Sequence, residues 1–207
     1  MEIFIFITEL IGTAAFAISG AATAIDKKMD IFGVAVLGLT TALGGGMIRD
    51  LILGRTPPVM FLEPIYAGVA VAASIIMFIP RVRLFFANRL LYDTLLFISD
   101  TIGLGVFTVV GTNAAFEVIP DTGMFLAVFV GTLTGVGGGL MRDVFAGNKP
   151  YIFTKHIYAV ASIAGSLLYT ILLPIIGQAH ASIWGIVLIS VIRIMAARFH
   201  WKLPRAQ

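Results

Sequence analysis

Two matching eight-residue stretches combine residue types that are costly inside a membrane helix. Leu43–Asp50 runs Leu-Gly-Gly-Gly-Met-Ile-Arg-Asp, and Val136–Asp143 runs Val-Gly-Gly-Gly-Leu-Met-Arg-Asp. Each glycine in a helix interior costs about 1 kcal/mol relative to alanine. An Arg-Asp pair is also costly at the margin of a lipid core. Because the chain accepts both costs twice, we expect both stretches to have a use in function.

The glycine triplets allow two interpretations. Small residues let helices approach closely in lipid, so the triplets could serve packing alone. They could also break or kink the helix and free carbonyl oxygens toward a cavity. Freed carbonyls of Gly44 and Gly137, with nearby threonine hydroxyls, would be hard oxygen ligands suited to a monovalent cation. The candidate pore and kink residues are Gly44, Gly45, Gly46, Gly137, Gly138, Gly139, Thr41 and Thr134.

Charged residues accompany both triplets. An Arg-Asp pair follows each triplet by about one turn, and one further acid lies in an apolar segment of each half. These groups could form local ion pairs or helix-end anchors, or a charged ring at each mouth of a pathway with the carboxylates attracting cations. The candidates for a charged mouth or a gate are Arg49, Asp50, Arg142, Asp143, Glu9 and Asp100.

The pairing of these charges can also be predicted. Adjacent residues do not face each other on a helix. We therefore predict that Arg49 and Arg142 pair with carboxylates elsewhere in the bundle, with Glu9 and Asp100 as the candidate partners.

The composition is that of an integral membrane protein. Of 207 residues, 59% are hydrophobic and 12% charged, the mean hydropathy is +1.01, and soluble domains carry roughly 25% charged residues. Apolar runs of about 20 residues favour helices over a barrel. The net charge of +3 is typical of basic residues near lipid headgroups and does not indicate nucleic-acid binding. Without cysteines, a metal-binding spacing or a nucleophile–base pair, the chain is not expected to be an enzyme or to need a cofactor.

Seven apolar segments predict seven transmembrane helices in one domain, residues 1–207. Short connections join them, and the basic stretch Arg81–Arg89 is expected to lie at the membrane interface. The segments are about Ile3–Ile25, Ile31–Leu53, Pro64–Ile79, Leu90–Phe116, Gly123–Phe145, Ile157–Ile176 and Ala181–Ala197.

The distribution of basic residues predicts the orientation. With the N-terminus outside, the cytoplasmic side receives all but two of the fourteen Lys and Arg residues, the exceptions being Arg49 and Arg55. Basic residues concentrate on the cytoplasmic side of membrane proteins. We therefore predict an outside N-terminus and a cytoplasmic C-terminus.

An internal repeat explains the odd number of segments. Besides the two triplets, Ile65-Tyr66-Ala67 matches Ile157-Tyr158-Ala159, and Gly54 and Pro57 match Gly147 and Pro150. The repeat units are about residues 3–80 and 90–176, and the seventh helix, about 181–198, lies outside both. Three helices per unit make the second unit enter the membrane from the opposite side, which is the three-plus-three inverted repeat of many transport proteins.

The paired Gly-Gly-Gly-x-x-Arg-Asp stretches on the second and fifth of seven helices resemble the trimeric intracellular cation channel family, in its prokaryotic branch. The resemblance spans about Glu9 to Tyr169. It implies a homotrimer in which each subunit holds its own pore, passing potassium and, less selectively, sodium. It also implies that Gly44–Gly46 and Gly137–Gly139 shape this pore in the inner membrane of a bacterium or archaeon. Similar bacterial sequences have also been labelled predicted glycine transporters.

These observations favour a passive, potassium-permeable monovalent-cation channel with a path between the two kinked helices of each protomer. Potassium or sodium would be the permeant species, and the partners would be further copies of the chain and membrane lipids. The chain has no Thr-Val-Gly-Tyr-Gly filter, so strong selection of potassium over sodium is not expected. The alternative is a secondary transporter of a small neutral solute such as glycine. A third hypothesis, a structural or assembly protein, predicts no flux.

Overall fold

The computed structural model describes residues 2–85, 88–119, 121–154 and 157–201. All regular secondary structure within these ranges is helical. The helices are α1 Glu2–Asp26, α2 Ile31–Ile52, α3 Val59–Leu62, α4 Pro64–Phe78, α5 Pro80–Phe85, α6 Arg89–Val118, α7 Met124–Phe145, α8 Tyr151–Thr154 and α9 Tyr158–Arg198.

Local sequence signals define several of these helix ends. The Asp30 side chain caps α2 by accepting a 2.7 Å hydrogen bond from the Gly33 amide. The Asn88 side chain caps α6 in the same way through the Leu90 amide, at 2.9 Å. Side-chain oxygens at this position satisfy amides that have no partner inside the helix.

Five helices in the described part of the chain, α1, α2, α6, α7 and α9, are long and apolar enough to cross a membrane. The fifteen-residue α4 is a shorter apolar helix. Large apolar side chains such as Phe32 and Phe125 are exposed on the surface of the bundle, as expected for groups that face lipid. The prediction of an all-α membrane protein is therefore confirmed.

The sixth and seventh predicted segments both lie in α9, which folds back on itself. Gly177 has a non-helical, left-handed backbone (φ 75°, ψ 167°) that glycine adopts without strain. A side chain at Gly165 would meet Ile189, and these two residues lie equally far before and after Gly177. The two halves of α9 thus pack antiparallel as a helical hairpin, and we name them α9a (158–176) and α9b (178–198).

The two repeat units share local backbone geometry. The chain leaves α2 through Gly54 (φ 72°) and leaves α7 through Gly147 (φ 67°). The amide of Arg55 then donates to the Asp50 carbonyl at 2.8 Å. In the second unit the amide of Asn148 donates to the Asp143 carbonyl, also at 2.8 Å. The sequence repeat is therefore a structural repeat, pairing α1, α2, α3 and α4 with α6, α7, α8 and α9a.

Equivalent helices of the two units run in opposite directions. Between α1 and α6, a side chain at Gly12 would meet Val106, whereas one at Gly103 would meet Phe16. The contact positions rise along α1 as they fall along α6, which is the pattern of an antiparallel pair. Contacts between the triplet regions of α2 and α7 follow the same rule. The units are therefore related by an inverted repeat.

Part of the predicted interfacial stretch and of the basic tail lies outside the described residues. The described part of Arg81–Arg89 includes α5, with the Arg83 guanidinium 5.9 Å from the centre of the Phe78 ring. Residues 86 and 87 are not described, nor are Lys155 and residues 202–207. The interfacial position of this stretch and the orientation of the chain remain predictions.

Candidate functional site

The glycine triplets lie where α2 crosses α7. A side chain at Gly45 would clash with the Thr134 carbonyl oxygen, and one at Gly138 would clash with the Thr41 carbonyl oxygen. A side chain at Gly137 would come within 3.0 Å of the Gly45 Cα. The backbones of the two helices are thus in direct contact, which only residues without a Cβ allow.

Neither helix is interrupted at its triplet. The backbone is α-helical throughout Ile31–Ile52 and Met124–Phe145. The predicted break of the helical ladder at Gly44–Gly46 and Gly137–Gly139 is therefore corrected. The physical reason is that close packing of α2 on α7 already uses the missing side chains, so the helices can stay hydrogen-bonded through the crossing. The assignment of these glycines to a pore remains a prediction.

The last glycine of each triplet has a different environment. Among the described residues, a Cβ at Gly46 would meet only the Arg49 guanidinium, at 3.8 Å, and Gly46 lines a cavity. A Cβ at Gly139 would lie 2.6 Å from the Tyr158 hydroxyl and 3.4 Å from an Asp100 carboxylate oxygen. The first unit therefore has free space where the second unit is filled.

Thr41 and Thr134 occupy equivalent buried positions beside the crossing. Their hydroxyls donate to the carbonyls one turn earlier on their own helices, Leu37 at 2.6 Å and Val130 at 2.7 Å. This use of the proton is common for threonine in membrane helices. The hydroxyl oxygen keeps its acceptor capacity, and its role as a cation ligand remains a prediction.

Asp100 is the centre of a buried charge network in the second unit. Its carboxylate is 0% exposed. It accepts hydrogen bonds from Arg142 at 2.7 Å, Arg193 at 2.5 Å and the Tyr158 hydroxyl at 3.3 Å. These donors come from α7, α9b and α9a, so one carboxylate of α6 connects three other helical segments. A buried charge without such partners would be strongly destabilising.

Arg142 joins this network to the end of α7. Its Nε donates to Asp143 at 2.9 Å and one terminal nitrogen donates to the Ser19 hydroxyl at 2.5 Å. Asp143 also accepts the Tyr151 amide at 2.8 Å, and the Arg142 guanidinium lies 4.9 Å from the Tyr151 ring centre. The second terminal nitrogen of Arg142 is buried without a hydrogen-bond partner among the described residues.

The first unit repeats this arrangement with fewer charges. The Arg49 Nε donates to Asp50 at 2.7 Å, and Asp50 accepts the Val59 amide at 3.0 Å. Glu9, the counterpart of Asp100, accepts the Tyr66 hydroxyl at 2.6 Å. A small cavity of about 40 Å³ lies among these groups, and its lining includes Glu9, Thr13, Gly46, Arg49, Asp50 and Tyr66.

The predicted pairing of the arginines is partly wrong. Arg142 does bind the distant Asp100, as predicted, but both arginines also bind the aspartate next to them in sequence. The Cα–Cβ bonds of adjacent residues diverge on a helix, yet the long arginine side chain folds back far enough for its Nε to reach the neighbouring carboxylate. Among the described residues, Glu9 is paired with Tyr66 and not with Arg49.

Sequence reasoning missed three partners of the acids. The sequence marks Tyr66 and Tyr158 only as matching positions of the repeat, although a tyrosine at matching positions in two units can donate to an acid in each. The charge distribution predicts a cytoplasmic Arg193, but this residue is only 5% exposed and its charge faces the interior. Its position within the apolar run of the last helix is the signal that indicates burial.

The charged groups around Asp100 and around Glu9 therefore differ in composition. Asp100, Asp143 and Arg142 of the second unit meet Arg193 of α9b, and all four residues are buried. The cavity of the first unit is lined by two acids, Glu9 and Asp50, and a single arginine, Arg49. The charges of the second group are paired and enclosed, whereas the first group has two acids and one arginine beside open space.

The fold is shared with solved cation channels. A structure that describes conductance through trimeric intracellular cation (TRIC) channels is 38% identical to this chain, covers 97% of it and 96% of its own length, and has a TM-score of 0.84. The TRIC orthologue from Rhodobacter sphaeroides is 29% identical, with a TM-score of 0.86 over 95% of this chain and 98% of its own. The fold and the paired glycine crossing thus define a multi-pass membrane protein of the TRIC channel class.

Sequence comparisons place the chain within this class. The family model described as Glycine transporter matches residues 6–81 and again residues 97–174. The UPF0126 inner membrane protein YadS of Escherichia coli (strain K12) is 41% identical over 201 residues, 95% of this chain and 93% of YadS. The UPF0126 membrane protein YvgT of Bacillus subtilis (strain 168) is 34% identical, over 95% of this chain and 93% of YvgT. The chain belongs to this UPF0126 family of TRIC-like membrane proteins.

Proposed function

We propose that the protein is a passive, potassium-permeable monovalent-cation channel with one path through each protomer. The observation that carries the proposal is the full-length match to a structure concerned with conductance through TRIC cation channels, at 38% identity. The site geometry supports it, because the carboxyl oxygens of Glu9 and Asp50 line a cavity and such oxygens attract cations.

The path we propose begins at the cavity beside Glu9 and Asp50 and runs alongside the crossing of α2 and α7 toward Asp100. The triplets Gly44–Gly46 and Gly137–Gly139 provide a backbone surface without side chains at this crossing. A carbonyl in a continuous helix keeps one lone pair after its helical hydrogen bond. The carbonyls of Gly44 and Gly137 therefore remain candidate contacts for a passing cation, with Thr41 and Thr134 beside them.

The membrane arrangement follows from the same proposal. Seven segments, α1, α2, α4, α6, α7, α9a and α9b, would cross the bilayer, with the N-terminus outside and the C-terminus in the cytoplasm. The protein would be a homotrimer in the inner membrane, surrounded by lipid. Its solved relative from Rhodobacter sphaeroides is a trimeric channel orthologue, and its Escherichia coli relative is an inner membrane protein. Conduction would need no cofactor, no catalytic step and no nucleic acid.

A secondary transporter of a small neutral solute such as glycine is the alternative. The specific observation in its favour is the description of the matching family model as Glycine transporter. An inverted repeat around a central site also suits alternating access. A transporter would expose the site to one side at a time, so its flux would saturate with solute.

Flux measurements in proteoliposomes distinguish the two functions. We expect potassium release that rises in proportion to the potassium gradient, with a proton ionophore present to balance charge, and no uptake of radiolabelled glycine. Protein-free vesicles give the background. Saturable glycine uptake without potassium release would replace the channel with the transporter.

A further inference from the structure

A second cavity lies where α1 and α4 end and α6 begins. Its volume is about 190 Å³, against about 40 Å³ for the cavity beside Glu9. The described lining comes from α1, α4, α5 and α6 and includes no residue of α2 or α7. This cavity is therefore separate from the crossing of the two glycine helices.

Two arginines line the second cavity, and they differ in their partners. Arg89 forms ion pairs with Asp26 at 3.1 Å and with Asp93 at 3.4 Å, and it lies 4.9 Å from the centre of the Tyr92 ring. Arg83 has no carboxylate partner among the described residues. The cavity thus presents one guanidinium whose charge is not already paired, and a guanidinium is a strong donor to phosphate and carboxylate oxygens.

The remainder of the lining is apolar. It consists of Ala22, Ile25, Met77 and Leu95. Outside the cavity, Leu84 and Leu90 are neighbours of the two arginines in sequence and are 70% and 74% exposed. Exposed leucines next to exposed arginines are typical of a segment at the membrane interface. The cavity is therefore suited to a molecule with an anionic head and an apolar body.

The inverted repeat does not account for these arginines. At the opposite end of the bundle, the connections after α6 and after α9a are residues 117–122 and 177–180, and neither contains Lys or Arg. The first unit, in contrast, has exposed Lys27 and Lys28 directly after Asp26, in addition to Arg83. Folding of a repeat unit thus does not require a basic cavity at this position, which favours a role in binding.

We propose that the second cavity binds the phosphate headgroup of an anionic glycerophospholipid from the surrounding membrane. The planar guanidinium groups of Arg83 and Arg89 donate to the phosphate oxygens, and the apolar lining contacts the first carbons of the acyl chains. Basic pockets between membrane helices are suited to acidic headgroups. The apolar lining and the exposed leucines favour a lipid over free phosphate. The inference rests on the membrane location of the chain and not on the channel function.

Native mass spectrometry of the delipidated protein in detergent tests this binding. With equal amounts of phosphatidylglycerol and phosphatidylcholine, the wild type should bind phosphatidylglycerol about tenfold better, since each basic side chain near an anionic lipid contributes a few-fold in affinity. Arg83→Gln should lose most of this preference. Arg81→Gln is the matched control, because Arg81 is exposed on the same short helix but is not part of the described lining, and it should behave as the wild type.

The variants are expected to fold, because Arg83 and Arg89 are exposed and surface ion pairs contribute little to stability. Thermal unfolding checks this, and Arg83→Gln combined with Arg89→Gln removes both guanidiniums. An unchanged preference for phosphatidylglycerol in the double variant would overturn the proposal. An equal loss in Arg81→Gln would also overturn it, since the attraction would then be general to the basic surface. An excess of inorganic phosphate should leave the lipid bound, and its displacement would assign the cavity to a free anion.

This measurement detects binding and not flux. A protein that shows the lipid preference but passes no potassium would overturn the channel alone. A conducting protein without the preference would overturn the lipid site alone.

Discussion

At the scale of single residues, the two units place the same residue types in opposite environments. Gly46 borders open space, whereas Gly139 faces Tyr158 and Asp100. Glu9 borders a cavity, whereas its counterpart Asp100 is fully buried. Equivalent substitutions in the two units should therefore have different consequences. A substitution in one unit can serve as the control for the same substitution at the matching position of the other unit.

The first such prediction concerns Gly46. The substitution Gly46→Leu places a branched side chain in the cavity that Gly46 lines, and its Cβ would have the Arg49 guanidinium as its nearest described neighbour, at 3.8 Å. The protein should therefore fold normally and lose its potassium flux. Gly139→Leu should lower the melting temperature in detergent, because the new side chain displaces the Tyr158 hydroxyl. Thermal unfolding and vesicle flux measure the two effects. Normal flux in a folded Gly46→Leu variant would remove the cavity from the path.

The second prediction compares the two acids. Asp100→Asn removes the charge between two buried arginines and should destabilise the protein by about 3–5 kcal/mol, as the loss of one partner of a buried ion pair does. Glu9→Gln keeps the hydrogen bond from Tyr66 and should change stability little. Its expected effect is a reduction of potassium flux by about tenfold, through weaker electrostatic attraction of cations. Equal stability losses in the two variants would contradict the described difference in burial.

At the scale of helices, the sequence predicts positions better than contacts. The predicted segment Ile31–Leu53 differs from α2 by one residue, because a hydrophobic run and the Asp30 cap mark a helix directly. The repeat also predicts that α2 meets α7. It does not predict whether three glycines break a helix or pack it, since that depends on the distance to the partner backbone. The contact between Arg193 and Asp100 depends in the same way on how α9 folds back.

The fold-back of α9 gives a prediction at this scale. A Cβ at Gly105 of α6 would lie 3.7 Å from the Ile186 Cβ of α9b, within the usual range for disulfides. The chain has no cysteines, so Gly105→Cys with Ile186→Cys should form one disulfide on mild oxidation. Gly105→Cys with Val187→Cys is the control, because Val187 is exposed on the next position of the helix. Thiol counting or a gel shift detects the bond, and equal oxidation of both pairs would argue against the hairpin.

At the scale of the whole molecule, the inverted repeat is symmetric in backbone and asymmetric in charge. At one end two acids and one arginine line a cavity, and at the other end Asp100 is paired with Arg142 and Arg193. In the proposed channel, cations would enter at the end that borders the cavity.

The most direct test of cation conduction is a recording from the purified protein in a planar bilayer with a potassium chloride gradient. The account predicts discrete openings whose currents reverse near the potassium equilibrium potential and are absent in Gly46→Leu. Reversal near the chloride potential, or a bilayer that stays silent with the wild type across all voltages, would contradict it.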